Sequence, residues 1–198
     1  MITRLRKIAK RVLSPIALVF IRIGFSANQI TILGLILSFL YFLFLYFIKF
    51  YIICFILILL SALMDAIDGE VARIKGTAGA FGSFFDSVID RVEDIIYILP
   101  LGVLGVPWEI VSGLIGSSLL ISYIRAKAES LGIRMEGKGL IERGERIIII
   151  AIAILVYSYS KVIFDIILYI LLLLSIFTVI QRFKYVINNI RSNKAVRG

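Results

Sequence analysis

The sequence predicts an all-α integral membrane protein with six transmembrane helices, preceded by an amphipathic helix at the membrane surface. Of its 198 residues, 61% are hydrophobic and only three are proline. Apolar runs of roughly twenty residues recur along the chain, and a helix of that length crosses a bilayer. One membrane domain, 1–198, therefore accounts for the whole chain, with an interfacial segment at 1–25 and a six-helix core at 29–190.

The elements follow in order from the hydropathy pattern. Segment 1–25 is basic and amphipathic and contains an early proline, so we expect it to lie along the membrane surface. Pro107 precedes the fourth apolar segment, where a fixed φ and a missing N–H suit the start of a helix. The predicted spans are 29–48, 51–72, 81–104, 108–128, 143–159 and 162–183.

Lysine and arginine are distributed unevenly about these spans. Nearly all lie before span one, after span six, or in the loops that join spans two to three and four to five. The opposite side carries only Lys49 and Lys161. This asymmetry predicts that both termini and the polar loops are cytoplasmic. The net charge of +9 then matches an anionic leaflet and anionic substrates, and no feature favours nucleic acid as a partner. The N-terminal cluster, interpreted as a solvated basic fringe, is Arg4, Arg6, Lys7, Lys10 and Arg11.

Four aspartates interrupt the apolar pattern where spans two and three meet. Asp65 and Asp68 are three residues apart, and Asp86 and Asp90 are four apart, so each pair shares a helical face. The short loop 75–80 folds the two helices together, and the four carboxylates converge. They require shifted protonation or bound cations. With no histidine and one cysteine, oxygen ligands favour Mg²⁺ or Mn²⁺, and four carboxylates suit two ions about 4 Å apart.

Small residues lie between these aspartates. Gly69 and Ala72 follow Asp68, and Gly82 precedes Asp86, which leaves the facing backbones bare. Because glycine inside a helix costs about 1 kcal/mol relative to alanine, we expect a close approach there. Arg73, one residue past Ala72, is expected to reach either a phosphate or a carboxylate. Cations beside glycine-lined walls indicate a nucleotide diphosphate at the membrane surface.

The pattern Asp65-x2-Asp68-Gly69-x2-Ala72-Arg73-x8-Gly82-x3-Asp86-x3-Asp90 resembles the complete signature of the CDP-alcohol phosphotransferase family. The resemblance implies six transmembrane helices, an interfacial N-terminal helix, a polar cavity open to the cytoplasm and a homodimer. It also implies residue roles. The metal ligands would be Asp65, Asp68 and Asp86, with Asp90 completing the metal site and acting as general base. The cytidine and diphosphate pocket would be lined by Gly69, Ala72, Arg73 and Gly82.

The implied reaction uses a CDP-lipid and an alcohol. The acceptor hydroxyl, deprotonated by Asp90, attacks the lipid-linked phosphorus, and CMP leaves. A covalent aspartyl-phosphate route is chemically possible. We favour direct displacement, because four carboxylates engaged with metals leave none as nucleophile.

Two basic stretches, "YIRAKAESLGIRMEGKGLIERGERIIII" and "TVIQRFKYV", resemble the subfamily that transfers to inositol phosphate. Arg125 stands where lysine is common and Lys127 where arginine is common. Matching positions are Tyr123, Ala126, Ala128, Glu129, Gly139, Glu142, Arg143, Glu145 and Arg146. The acceptor would be inositol 1-phosphate, and its phosphate needs cations. The candidates are Arg125, Lys127, Arg143, Arg146 and Arg182.

Other interpretations remain open at this point. Arg146 would equally pair with Glu142, four residues earlier, and Lys127 would equally extend to the lipid headgroups. Within the family, glycerol 3-phosphate is the alternative acceptor. In another class, a divalent-cation transporter would use the four aspartates for its ion, although the sequence lacks the broken helices and inverted repeat of such proteins.

Overall fold

A computed structural model describes residues 2–195, with the side chains of 13–191. All of the regular secondary structure in this part of the chain is helical, and helices account for 85% of the residues. The basic side chains Arg4, Arg6, Lys7, Lys10 and Arg11 lie outside the described side chains. The helices are α1 (Ile2–Ile23), α2 (Ala27–Leu43, continuing as a π-helical turn, Phe44–Ile48), α3 (Tyr51–Lys75), α4 (Ala80–Ile98, continuing as a 3-10 helix, Leu99–Leu104), α5 (Trp108–Ser130), α6 (Arg143–Tyr157) and α7 (Lys161–Ala195).

Four helical stretches are long and apolar enough to cross a membrane, which confirms a multi-pass membrane protein of the all-α class. They are Ala27–Ile48, Tyr51–Lys75, Trp108–Ser130 and Lys161–Arg191. The other two predicted spans correspond to α4 and α6. Helix α4 is rich in acidic residues, and α6 has only 15 residues. Six membrane spans therefore stay a prediction, as does an interfacial position for α1.

The ends of α2 and α3 explain how the site is positioned. Ser26 caps α2 in a reciprocal arrangement in which its backbone N–H donates to Gln29 Oε1 at 2.8 Å. Helix α3 ends at Gly76, whose φ of +66° is the left-handed conformation that glycine adopts without strain. The N–H of Thr77 donates to the carbonyl of Ala72 at 3.0 Å. Four residues, 76–79, thus reverse the chain and begin α4 at Ala80.

The chain divides into two compact units, Met1–Tyr97 and Ile98–Gly198. The boundary falls where α4 gives way to the 3-10 helix, which contains Pro100, and proline cannot continue an α-helical ladder. A single domain over 1–198 stays a prediction. In the first unit, α1, α2 and α3 pack around a buried apolar cluster formed by Ala17, Ile30, Met64, Ile67 and Val71.

Hydrogen bonds join α4 to α2 and α3 within the first unit. The Tyr41 hydroxyl donates to the carbonyl of Tyr97 at 2.9 Å, and the Tyr97 hydroxyl donates to Ser61 Oγ at 2.7 Å. All three side chains are buried. These bonds satisfy polar groups that would otherwise be costly in an apolar interior, and they fix the helices about the acidic residues.

In the second unit, α5 and α6 both pack against α7. Gly102 lies flat against the ring of Trp108, so that an added Cβ would approach the ring to 2.6 Å. Gly113 of α5 faces Leu172 of α7, where an added Cβ would lie 3.1 Å from Leu172 Cδ1. Glycine therefore allows close packing at both places.

Candidate active site

A cleft of about 630 Å³ opens between α3, α4 and the start of α2. It brings together five of the residues predicted to form the site: Asp68, Gly69, Ala72, Gly82 and Asp86. The other lining residues are Ser26, Ala27, Asn28, Lys75, Thr77, Ala78, Gly79, Ala80, Phe81 and Ser83. A cavity of this size with few convergent polar groups suits a small-molecule ligand or headgroup.

The glycines of the cleft face open space. A Cβ added to Gly69 would have no neighbour within 4 Å, and one added to Gly82 would first meet Asn28 Oδ1 at 3.7 Å. Packing of the protein therefore does not require glycine at either position. The missing side chains enlarge the cleft instead, which is the arrangement expected where a ligand approaches the backbone.

Asp68 is buried, with 4% of its surface exposed, and its carboxylate is oriented by α2. The hydroxyl of Thr31, itself buried, donates to Asp68 Oδ2 and also lies 3.2 Å from the carbonyl of Ala27. This contact fixes one oxygen of Asp68, a residue that also lines the cleft. Thr31 was not predicted; its place one turn into α2, on the face that carries Ala27, is the only sequence signal.

A second acidic group lies one helical turn further along α3 and α4 from the connecting turn. Asp65, Asp90 and Glu93 each offer a carboxylate oxygen, and the three oxygens lie within 4.8 Å of one another. Glu93 was not predicted as a site residue, although it is three residues beyond Asp90 and so shares its face. The donor set is all oxygen, which fits Mg²⁺ or Mn²⁺ and not a thiolate or imidazole site.

Asp90 also forms an ion pair with its neighbour along the chain. Arg91 Nη1 donates to Asp90 Oδ2 at 2.9 Å, and both side chains are partly exposed. This bond fixes the position of one oxygen. Asp90 thus lies in the acidic group and is also partly exposed beside Arg91. Its role as general base stays a prediction.

Arg73 is placed differently from the other predicted nucleotide residues. Its Nε donates to Glu70 Oε2 at 2.9 Å, its Nη2 donates to Glu70 Oε1, and half of the side chain is exposed. Glu70 also accepts a hydrogen bond from Ser14 Oγ at 2.5 Å. A nucleotide-binding role for Arg73 stays a prediction. The cation that lines the cleft is Lys75, whose Nζ donates to the carbonyl of Phe25 at 2.8 Å.

The predicted phosphate-binding cations lie in the second unit, and Arg182 is the most constrained of them. It is 5% exposed, its Nε donates to the carbonyl of Lys138 at 2.9 Å, and its Nη1 donates to the carbonyl of Ile121 at 2.8 Å. Arg182 therefore connects α7 to α5 and to the loop before α6. Gly139 makes room for it, since an added Cβ would lie 3.1 Å from Nε.

The other four cations differ in exposure. Arg125 is exposed and forms an ion pair with Glu129 at 2.9 Å, while Lys127 is exposed in the last turn of α5. Arg143 is the first residue of α6, and Arg146, one turn later, is buried. Arg125 and Glu129 line a second cavity, of about 530 Å³, together with Arg134 and Glu136. Binding of an acceptor phosphate by these residues stays a prediction.

A model of the CDP-alcohol phosphatidyltransferase family matches residues 25–181, which include every residue of the cleft. The chain belongs to this family. The resemblance predicted from the eight-residue signature is thereby confirmed, and the protein is a transferase of phospholipid synthesis.

Several relatives of this chain are named as inositol phosphate lipid synthases. An archaetidylinositol phosphate synthase of Aeropyrum pernix is 45% identical over 103 residues, which is 52% of this chain and 53% of that protein. The archaetidylinositol phosphate synthase of Pyrococcus horikoshii is 35% identical over 184 residues, covering 92% of this chain and 94% of the relative. A phosphatidylinositol phosphate synthase of Mycobacteroides abscessus is 33% identical over 73% of this chain and 69% of its own length.

Solved structures agree with the sequence relatives. The phosphatidylinositol phosphate synthase of Mycobacterium tuberculosis with CDP-DAG bound has a TM-score of 0.76 and 29% identity, covering 89% of this chain and 94% of that one. The same enzyme in complex with manganese and citrate has a TM-score of 0.75 at 29% identity, covering 88% of each chain. Both the fold and the kind of ligand expected from the sequence thus occur in a relative.

Proposed function

We propose that this chain transfers the phosphatidyl or archaetidyl group of a CDP-lipid to a hydroxyl of inositol 1-phosphate and releases CMP. The observation that carries the proposal is the cleft, in which Asp68, Gly69, Ala72, Gly82 and Asp86 come together. The relatives named as archaetidylinositol or phosphatidylinositol phosphate synthases support the acceptor, and the relative with bound CDP-DAG supports the donor. The lipid is CDP-archaeol or CDP-diacylglycerol.

We assign the proton transfer in this reaction to Asp90. Its carboxylate accepts the proton of the acceptor hydroxyl while that oxygen forms a bond to the lipid-linked phosphorus. The bond between this phosphorus and the bridging oxygen of the diphosphate breaks, and CMP leaves with the electron pair. Asp90 suits this step because it is partly exposed, whereas Asp68 is buried and hydrogen-bonded to Thr31.

The carboxylates define where divalent cations would bind. Asp65, Asp68, Asp86 and Asp90 would hold Mg²⁺ or Mn²⁺, and two ions per site match their number. When bound, such ions neutralise the charge of the diphosphate and of the departing CMP. The relative in complex with manganese supports this assignment.

We assign the nucleotide to the walls of the cleft and the acceptor phosphate to the basic residues of the second unit. Gly69, Ala72 and Gly82 leave room for the nucleotide, and Arg73 is assigned to its phosphates. The acceptor phosphate is assigned to cations of the second unit: Arg125, Lys127, Arg143, Arg146 and Arg182. Two of the donors of Arg182 already bind backbone carbonyls, so its other guanidinium N–H groups would contact the phosphate.

The proposal includes a place in the cell. We assign the protein to the cell membrane as a homodimer, with six spans and with both termini and the cleft on the cytoplasmic side. The asymmetry of lysine and arginine supports this orientation. Membrane lipids surround the protein and supply its donor substrate.

The test is a CMP-release assay with purified full-length protein in detergent, Mn²⁺ or Mg²⁺, and CDP-archaeol or CDP-diacylglycerol. We expect release with inositol 1-phosphate, and none with free inositol, because buried cations would lack their anion. A higher kcat/KM for glycerol 3-phosphate would overturn the inositol assignment and leave the family assignment intact. No metal-dependent CMP release with any acceptor would favour a cation transporter.

A further inference from the structure

We propose that the side-chain amide of Asn28 hydrogen-bonds the nucleobase of the CDP-lipid. The inference rests on the proposed function, because it takes the cleft to be the site of the donor nucleotide. Asn28 lies outside the eight-residue signature. It supplies a hydrogen-bonding contact to the base that glycine walls, which have no side chains, cannot supply.

The position of Asn28 in the cleft is the first step of the argument. Asn28 lines the same cavity, of about 630 Å³, as Gly69, Gly82, Asp68 and Asp86. Its Oδ1 is the atom that a Cβ added to Gly82 would meet first, at 3.7 Å. The amide therefore lies beside the bare backbone of α4, at the edge of the space that the two glycines leave open. A flat ring packed against the glycines would present its polar edge to this amide.

The second step is that the Asn28 side chain has no other role in the fold. Asparagine at the start of a helix usually serves as its cap. Here Ser26 and Gln29 already cap α2, because the N–H of Gln29 donates to Ser26 Oγ at 3.4 Å and the N–H of Ser26 donates to Gln29 Oε1 at 2.8 Å. Within the described part of the chain the amide of Asn28 makes no hydrogen bond. Asn28 is partly exposed, so a ligand can reach its two donors and its acceptor oxygen.

Contacts on both sides hold the first turn of α2 in place, and this is the third step. Thr31, three residues after Asn28 and on the same face of the helix, donates its hydroxyl to Asp68 Oδ2. Lys75, the last residue of α3, donates to the carbonyl of Phe25 at 2.8 Å. The backbone that carries Asn28 is therefore attached to α3 at two points. A group that is already positioned loses little freedom when its ligand binds.

Distance along α4 indicates which part of the donor reaches Asn28. The diphosphate is assigned to the region of Asp68 and Asp86. Gly82 precedes Asp86 by four residues, which is about 6 Å along the helix axis towards the connecting turn. Asn28 lies beside Gly82 and is thus offset from the diphosphate by roughly one helical turn. This offset brings the nucleoside, and not the diphosphate, to Asn28.

The hydrogen-bonding groups of the base match those of an asparagine side chain. Cytosine carries an amino donor next to a ring-nitrogen acceptor, and the amide of asparagine carries an acceptor oxygen next to an NH₂ donor. Two parallel hydrogen bonds result, in which Oδ1 accepts from the amino group and Nδ2 donates to the ring nitrogen. Proteins that bind an unstacked base in a pocket recognise it through this same edge.

The experiment compares the binding of CDP and of methylene diphosphonate to the purified full-length protein, by isothermal titration calorimetry in detergent with Mn²⁺. CDP carries the base, whereas methylene diphosphonate offers the two phosphorus groups alone. Asn28→Ala should raise the Kd for CDP roughly 5- to 30-fold, as expected for the loss of one or two neutral hydrogen bonds, and leave the Kd for methylene diphosphonate unchanged. The matched control is Asn189→Ala, the same substitution outside the cleft, where the amide donates to the carbonyl of Tyr185 at 2.8 Å. This control should bind both compounds as the wild type does.

The outcomes separate this inference from the proposed function. An unchanged Kd for CDP in Asn28→Ala would overturn the inference while the proposed function stood. Equal losses for CDP and methylene diphosphonate would overturn it too, because Asn28 would then act on the phosphates or on the fold. A wild type that binds neither compound would overturn the nucleotide assignment of the cleft together with the inference. If Asn28→Ala does not fold, Asn28→Leu carries the same test with the same expected Kd values, because leucine keeps the branched shape of asparagine without its hydrogen-bonding groups.

Discussion

Gly69 offers a prediction in which stability and binding change in opposite directions. Glycine inside a helix lowers the free energy of unfolding by about 0.5–1 kcal/mol relative to a residue with a side chain. A Cβ at position 69 meets nothing within 4 Å, so the side chain of Gly69→Leu starts in open space, and the gain in helix propensity should raise the thermal midpoint. The new side chain extends into the cleft of about 630 Å³ that is assigned to the nucleotide.

The loss of binding can be given a magnitude. Overpacking a fitted site costs about 1–3 kcal/mol, which weakens CDP-lipid binding roughly 5- to 150-fold. Isothermal titration calorimetry in detergent measures the Kd, and a thermal melt of the same sample measures stability. Gly116→Leu is the control, because an added Cβ in α5 is equally uncrowded and that position lies outside the cleft. Normal CDP-lipid binding by Gly69→Leu would show that the nucleotide lies elsewhere.

Three further predictions concern charged residues. Replacing a carboxylate of the signature with asparagine should reduce CMP release by orders of magnitude in a protein that still melts cooperatively, and near-normal turnover in two of the four variants would contradict the metal-site assignment. The positions are Asp65, Asp68, Asp86 and Asp90. Arg143→Gln should raise the acceptor KM in the CMP-release assay, because one or two charge-assisted hydrogen bonds to the phosphate, worth about 1.5–3 kcal/mol each, are lost. The affinity for CDP-lipid, measured by calorimetry, should be unchanged. Arg182→Gln should lower the free energy of unfolding by about 3 kcal/mol, because the carbonyls of Ile121 and Lys138 lose a charged donor, and a thermal midpoint equal to that of Arg143→Gln would refute this.

The helices and most of the cleft could be predicted because their causes are local. Helix α3 ends before Gly76 and helix α5 begins after Pro107. Spacings of three and four residues place each pair of aspartates on one helical face. Helix α7 extends beyond the predicted end at 183, to Ala195, because a polar but unbroken sequence continues a helix as readily as an apolar one. Hydropathy indicates where a span leaves the apolar region and not where its helix stops.

The partners of individual charges could not be predicted, because each depends on contacts between distant residues. Thr31 meets Asp68 across 37 residues, and Arg182 reaches the carbonyl of Ile121 across 61. Arg182 was considered for its charge alone, yet its Nε and Nη1 donate to neutral backbone oxygens. A sequence gives the charge of a side chain at once, but which groups satisfy that charge is decided by packing.

Glycine illustrates the same limit, since one residue type has three physical causes in this chain. Asp65 and Glu93 approach the backbone of Gly34, the Trp108 ring lies against Gly102, and Gly69 faces the open space of the cleft. In the sequence all three are helix-weakening residues, and Gly69 is distinguished only by its acidic neighbours Asp68 and Glu70. They differ in what a methyl group would meet: the Trp108 ring at 2.6 Å beside Gly102, carboxylate oxygens at 3.2 and 3.4 Å beside Gly34, and nothing within 4 Å beside Gly69. Open space beside a glycine does not by itself identify a ligand-facing wall, because Gly116 of α5 is equally uncrowded and lies outside the cleft. Gly69 differs in that it faces the cleft that also holds Asp68 and Asp86.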